Sequence, residues 1–148
     1  MRVLIVDDDA GMCEMFRSIM GGVISHLVET GKLSDAMNIC VGDTFDVILL
    51  DLTLIDATKE ETLDKIPEMK RMSGASMVVV TGALQPTVAD EAIRKGADFV
   101  VRKGTAFSSL KKALLLAVHS AVVKNPRKHP GDDYMAHVAL LERLVHAA

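Results

Sequence analysis

Aromatic side chains are scarce. Tryptophan is absent, and Phe, Trp and Tyr together make up 3% of the 148 residues. Hydrophobic residues still reach 49%, so the core has to be built from Val, Leu, Ile, Ala and Met. Cysteine is nearly absent too: Cys13 and Cys40 lack metal-ligand spacing and read as reduced core thiols, which suits a cytoplasmic chain. No apolar run approaches the ~20 residues needed to span a bilayer, so no membrane insertion is expected. Strand-like residues follow Met1 directly, so no signal peptide is expected either. The net charge is −3, without the basic excess that direct nucleic-acid binding requires.

What is present is a length suited to one domain with a genuine core. The charge is uneven: residues 1–60 hold 11 acidic and 4 basic side chains, and residues 61–148 hold 9 and 13. The bland reading is scattered solvated charge. The sharper one is a localised acidic site for a cation.

Residues 2–7 (RVLIVD) read as a short buried strand that runs into three consecutive carboxylates, Asp7, Asp8 and Asp9. Met12, Met15, Phe16, Ile19 and Met20 then follow helical spacing. Asp9 is the expected N-cap, and Gly21-Gly22 the stop. A weaker strand is expected over 23–29. Leu33, Ala36, Met37, Cys40 and Val41 predict a second helix, and 45-FDVILLD-51 a second strongly apolar strand. Helical spacing over 59–72 is interrupted by Pro67, which is expected to kink or shorten the helix. A strand over 76–81 follows, then a helix over 86–95 that Pro86 starts and Gly96 stops. A strand over 97–103 and a long helix over 106–123 complete five strand–helix alternations.

That alternation predicts an α/β fold with a parallel sheet covered on both faces. In such sheets ligands bind at the carboxyl ends of the strands, near a topological switch point. At those ends stand Asp7 and Asp8, Asp51, Thr81 and Lys103. Hard oxygen ligands from two strands suit Mg²⁺, with Asp8 and Asp51 as direct ligands and Asp7 acting through a water. A carboxylate there can also attack phosphorus, with Lys103 and Thr81 placed to receive the phosphoryl oxygens.

The segments LIVDDD, VILLDLTLID, VVVTGA and GADFVVRKG resemble the response-regulator receiver domain of two-component signalling. Asp51 and Thr81 stand 30 residues apart, and Thr81 and Lys103 stand 22 apart. The resemblance covers roughly residues 1–123. It implies a doubly wound, five-stranded sheet in the flavodoxin-like order 2-1-3-4-5. It implies Asp51 as phosphoacceptor, Asp7 and Asp8 as the Mg²⁺ pair, and Thr53 as the source of a metal-binding backbone carbonyl. Thr81 matches the switch hydroxyl and Lys103 the phosphate-binding lysine. The implied donor is a histidine kinase or phosphotransfer protein. The implied output is a reshaped face of the fourth helix, fifth strand and fifth helix, which contacts a downstream protein. Such a chain is not an independent enzyme; it catalyses only its own phosphorylation and dephosphorylation.

Some positions depart from the family pattern. Gly104 follows Lys103 where the family usually has proline, so a trans bond or a rebuilt turn is expected. Val100 stands where the family often has an aromatic switch, with Phe99 beside it on the opposite strand face. The turn after Asp51, LIDATKEE, lacks the usual Pro and Gly. Metal binding and phosphate acceptance are expected to survive these changes, and signal transmission to be altered. Rival readings are a pseudo-receiver that binds without being phosphorylated, and an aspartyl-phosphate phosphatase of the haloacid dehalogenase type. The phosphatase class wants an Asp where Thr53 stands. Residues 124–133 read as a polar linker, and 134–148 as an extra C-terminal helix that packs back on the domain or serves a homodimer or another partner.

Overall fold

The strands that begin each alternation are short and line up as one parallel sheet; the three central ones are almost wholly buried and the two edge strands only partly. The computed structural model describes residues 1–82, 85–104 and 106–124. Within them the order is β1 (Arg2–Val6), α1 (Ala10–Met20), β2 (His26–Thr30), α2 (Leu33–Gly42), β3 (Val47–Asp51), α3 (Lys59–Ser73), β4 (Ser76–Thr81), α4 (Pro86–Lys95), β5 (Phe99–Arg102) and α5 (Phe107–Lys124). The sheet order is β2-β1-β3-β4-β5, with every pair parallel. This is the doubly wound arrangement expected from the sequence. The linker and tail helix expected beyond Lys124 lie outside the described residues.

Strand alternation divides the core in two. Val3, Ile5, Val47, Leu49, Val78 and Val80 face one side and pack against Cys13, Phe16 and Met20 of α1 and Leu110, Leu114 and Ala117 of α5. Leu4, Val6, Ile48, Leu50, Met77 and Val79 face the other and pack against residues of α2, α3 and α4. Phe16 and Phe45 are the only aromatics among the large, fully buried side chains of the described residues, and aliphatic residues and Met make up the rest.

Two expectations need correction. The second strand runs over His26–Thr30 rather than 23–29. Residues before it form the exit turn of α1, where the Val23 amide donates to the Met20 carbonyl and the Val23 carbonyl accepts from the Met1 ammonium at 2.7 Å. Pro67 also fails to shorten its helix: α3 continues through it to Ser73. An interior proline costs about 3 kcal/mol relative to alanine. Against that, Leu63, Ile66 and Met69 are fully buried, each contributing roughly 1.5–3 kcal/mol. Thr58 caps the start, Glu60 and Glu61 lie in the first turn, Lys70 and Arg71 in the last, and Gly74 closes the helix in the left-handed region.

Candidate functional site

The three consecutive aspartates do three different jobs. Asp9 caps α1, accepting from the Gly11 amide at 2.9 Å and the Met12 amide at 3.3 Å. Asp7 turns inward; its Oδ1 accepts from the Asp9 amide at 2.9 Å. Asp8 is exposed beside it. β1 and β3 are neighbours at the centre of the sheet, so their carboxyl ends bring Asp51 to the same place. Carboxylate oxygens of Asp7, Asp8 and Asp51 lie within 4.8 Å of one another. Three hard oxygen donors so close suit a divalent cation such as Mg²⁺.

The Asp7 and Asp51 side chains are each 2% exposed. Such carboxylates need partners. Lys103, at the end of β5, provides one: its Nζ lies 3.0 Å from Asp51 Oδ2 and 3.1 Å from Asp7 Oδ2. It donates a hydrogen bond to Asp51 Oδ2 and a longer one, 3.3 Å, to Asp7 Oδ1. Asp51 Oδ1 accepts from the Thr53 amide at 3.0 Å. Burial raises the Asp7 pKa, and the Asp51 charge adds to it, against lowering by the Asp9 amide and Lys103. Burial works against the Lys103 ammonium, but its bonds to Asp51 and Asp7 win, and its pKa is raised.

Thr81 stands at the end of β4. Asp51 pairs in register with Val80, so Thr81 is the next residue along the neighbouring strand. It is fully buried and its Oγ1 has no hydrogen-bond partner among the described residues, an expensive state for a hydroxyl without a function. Beside the acidic pair opens a cleft of about 340 Å³ lined by Asp7, Asp8, Ala10, Cys13, Arg17, Glu29, Thr30 and Gly31. At ~30 Å³ per water it has room for a hydrated cation to approach. Cys13 and Cys40 are buried free thiols, pushed up to about 11 chiefly by burial.

All the residues singled out at the strand ends therefore meet at one edge. Thr53 meets Asp51 through its amide, while its side chain is exposed. No described peptide bond is cis, so Lys103–Gly104 is trans. Phe99 packs with the α1 and α5 side of the core and Val100 with the other. Alternation along β4 puts Thr81 on the side of Met77 and Val79. Phe99 therefore lies across the sheet from Thr81 and does not fill the place at Val100.

Two contributors escaped the sequence reading. Gly31 backs onto Asp8: a Cβ there would sit 3.2 Å from Asp8 Cα and Cβ. Asp56, in the loop after Asp51, accepts from the Leu33 amide at 2.8 Å and the Ser34 amide at 3.0 Å, at the start of α2. Those amides hold its carboxyl below the usual range. A hint lay in Lys32, which has no acceptor with which to cap α2.

The sequence profile of the response regulator receiver domain matches residues 3–115. No match is found among curated proteins. Among solved structures, a response regulator protein from Burkholderia pseudomallei with a phosphorylated aspartic acid, calcium ion and citrate is similar, with a TM-score of 0.66 and 19% identity over 87% of this chain and 75% of that one. A CheY-like response regulator receiver domain protein from Methanospirillum hungatei has a TM-score of 0.69 and 19% identity, over 83% and 97% of the two chains. The beryllofluoride-activated NtrC4 receiver domain dimer has a TM-score of 0.67 and 27% identity, over 81% and 94%. Among the described residues no helix is long and apolar enough to cross a membrane. With most of its length matched and its sheet wound in the order these relatives share, the chain belongs to the response regulator receiver domains of two-component signalling.

Proposed function

We propose that this chain is a phosphorylation switch in which Asp51 accepts a phosphoryl group from a histidine kinase or phosphotransfer protein, with Mg²⁺ held at the acidic pair. The observation that carries the reading is the convergence of Asp7, Asp8 and Asp51 within 4.8 Å, with Lys103 bonded to Asp51 at 3.0 Å. One Asp51 oxygen attacks phosphorus; a P–O bond forms, the donor's P–N bond breaks, and the imidazole leaves to take a proton from water. Asp8 and Asp51 would hold the ion directly, with the Thr53 carbonyl. Asp7 would act through water, since Lys103 and the Asp9 amide already engage its carboxylate. When bound, the ion supplies positive charge to the phosphoryl oxygens and offsets the repulsion among the carboxylates.

The chain's own groups then set the response. Lys103 keeps its charge, because its pKa is raised, and moves with a phosphoryl oxygen. The Thr81 hydroxyl, without a partner among the described residues, gains an acceptor in the new group. The face of α4, β5 and α5 is the proposed output surface, where Ile93 and Phe107 are 50% and 56% exposed. The protein turns over no separate substrate, and its reduced thiols suit the cytoplasm.

The test is incubation with Mg²⁺ and a small phosphodonor, read by intact mass. One phosphoryl group is expected on the wild type and none on Asp51→Asn, which keeps the fold. Phosphate on another residue of the variant would overturn the assignment. A wild type that gains no mass would favour the pseudo-receiver reading, which the position of Phe99 across the sheet from Thr81 supports on the output side only.

A further inference from the structure

We infer that Asp56 is a positioning residue for this site, tying the loop after Asp51 to the first turn of α2 and so holding Thr53 and Asp8 in register. The inference rests on the phosphoacceptor reading above and deepens it.

The loop between β3 and α3 has no proline or glycine to fix its shape, and Thr53, which bonds Asp51, lies at its start. Leu54 is buried and forms an isolated bridge with Ala57. Ile55, between them, is 71% exposed. Leu52 is fully buried and Ala57 packs against the same core, while the polar anchor among the described residues is Asp56, whose two oxygens take the Leu33 and Ser34 amides. Helix amides at a first turn need acceptors, and an anion there also faces the positive end of the helix dipole. α2 has none of its own, because Lys32 occupies its cap position without a side-chain hydrogen bond.

The same corner touches the other side of the site. Gly31 lies directly against Asp8, close enough that a methyl group would crowd it. A continuous path therefore runs from Asp8 through Gly31 to the start of α2, across to Asp56, and back through Leu54 and Thr53 to Asp51. Its links are side chains and loop backbone, outside the sheet ladder. Groups that orient metal ligands in this way commonly change affinity about 10–100-fold when removed.

A plain helix cap would show the same two hydrogen bonds, so the test must separate capping from positioning. Lys32 has extended dihedrals suited to an N-cap side chain. Lys32→Ser therefore gives α2 a cap of its own without rebuilding the tie. Four proteins are compared with wild type: Asp56→Ala, Asp56→Asn, Lys32→Ser, and Asp56→Ala combined with Lys32→Ser. Each is read by urea unfolding, Mg²⁺ titration followed by amide NMR, hydrogen exchange at the Thr53 amide, and phosphoryl uptake.

Asp56→Ala is expected to weaken Mg²⁺ binding about tenfold and to speed Thr53 exchange, with Asp56→Asn between it and wild type. The combined variant is expected to regain stability but neither Mg²⁺ affinity nor Thr53 protection. If Asp56→Ala fails to fold, Asp56→Asn and the combined variant decide the question. The inference is overturned if these variants bind Mg²⁺ within about twofold of wild type, or if the added cap restores everything. A wild type that binds no Mg²⁺ and takes no phosphate defeats the phosphoacceptor reading instead, and Thr53 exchange still reports whether the tie exists.

Discussion

Lys103 Nζ lies 3.0 Å from Asp51 Oδ2, so a cation from β5 stands against the carboxylate that ends β3. The lysine's side chain is 20% exposed and those of both aspartates it touches are 2% exposed, and among the described residues it is the cation paired with each of them. Removing one partner of a buried pair costs more than the pair contributes, because the stranded charge stays behind.

Lys103→Ala should therefore lower metal-free stability toward the lower end of the ~3–5 kcal/mol seen for broken buried pairs, given the lysine's partial exposure. Added Mg²⁺ should recover part of the loss by replacing the missing charge. Urea unfolding with and without Mg²⁺ checks both points; an unchanged midpoint without metal would mean the pair contributes nothing.

Asp7 should give an inverted pH dependence. Its carboxyl is raised above the ordinary 3.8, mainly by burial. A raised carboxyl binds its proton more tightly in the folded state, so its contribution is complete below 3.8 and is lost as pH climbs through the folded value. Lys103 is raised as well, so its contribution persists through neutrality and disappears only as pH rises past 10.5. Carboxyl-carbon NMR of the metal-free protein should find Asp7 titrating above 3.8, and Mg²⁺ should draw that midpoint down. A midpoint at or below 3.8 without metal would contradict the environment described for Asp7.

Gly31→Ala should weaken Mg²⁺ binding by up to about tenfold while leaving stability within about 1 kcal/mol of wild type. The new methyl meets Asp8 backbone and Cβ at 3.2 Å and has to push them. Ordering the unfolded chain less expensively offsets the crowding. Calorimetric titration of Mg²⁺ beside a melting curve checks the split, and equal affinity would show that Asp8 has slack.

Pro67→Ala should stabilise the protein by about 2 kcal/mol: roughly 3 from restoring an interior helix position, less up to about 1 for the freer unfolded chain. Pro67 is exposed, so little packing is lost. Urea unfolding is the measurement; a loss of stability would reveal a packing role for the ring.

The fold was legible because every strand but the second is an apolar run followed by a helix whose inward face repeats at helical spacing; β2, with His26, Glu29 and Thr30, is not, and its bounds were missed. The strand-end chemistry was legible for the same reason: once β1, β3, β4 and β5 lie parallel, Asp7, Asp51, Thr81 and Lys103 must share an edge. The shortening expected at Pro67 did not occur, because local backbone cost was weighed without the burial of Leu63, Ile66 and Met69, which only the packed helix displays. Asp56 went unseen because its partners, Leu33 and Ser34, open a different element, α2, and no periodicity connects a carboxylate to distant amides. Phe99 was legible only by parity, and its neighbours settled its side.

The wide separation of Asp7 and Lys103 along the chain, 96 residues, sets a schedule for biosynthesis. At ~5–20 residues per second, the ribosome delivers the first aspartate some 5–20 s before the lysine that will meet it. Meanwhile β1 waits for a partner that arrives only after a whole crossover has been made. Until β5 emerges the acidic amino-terminal half is without that ammonium, so the burial of Asp7 and Asp51 beside a protein cation has to await the last strand.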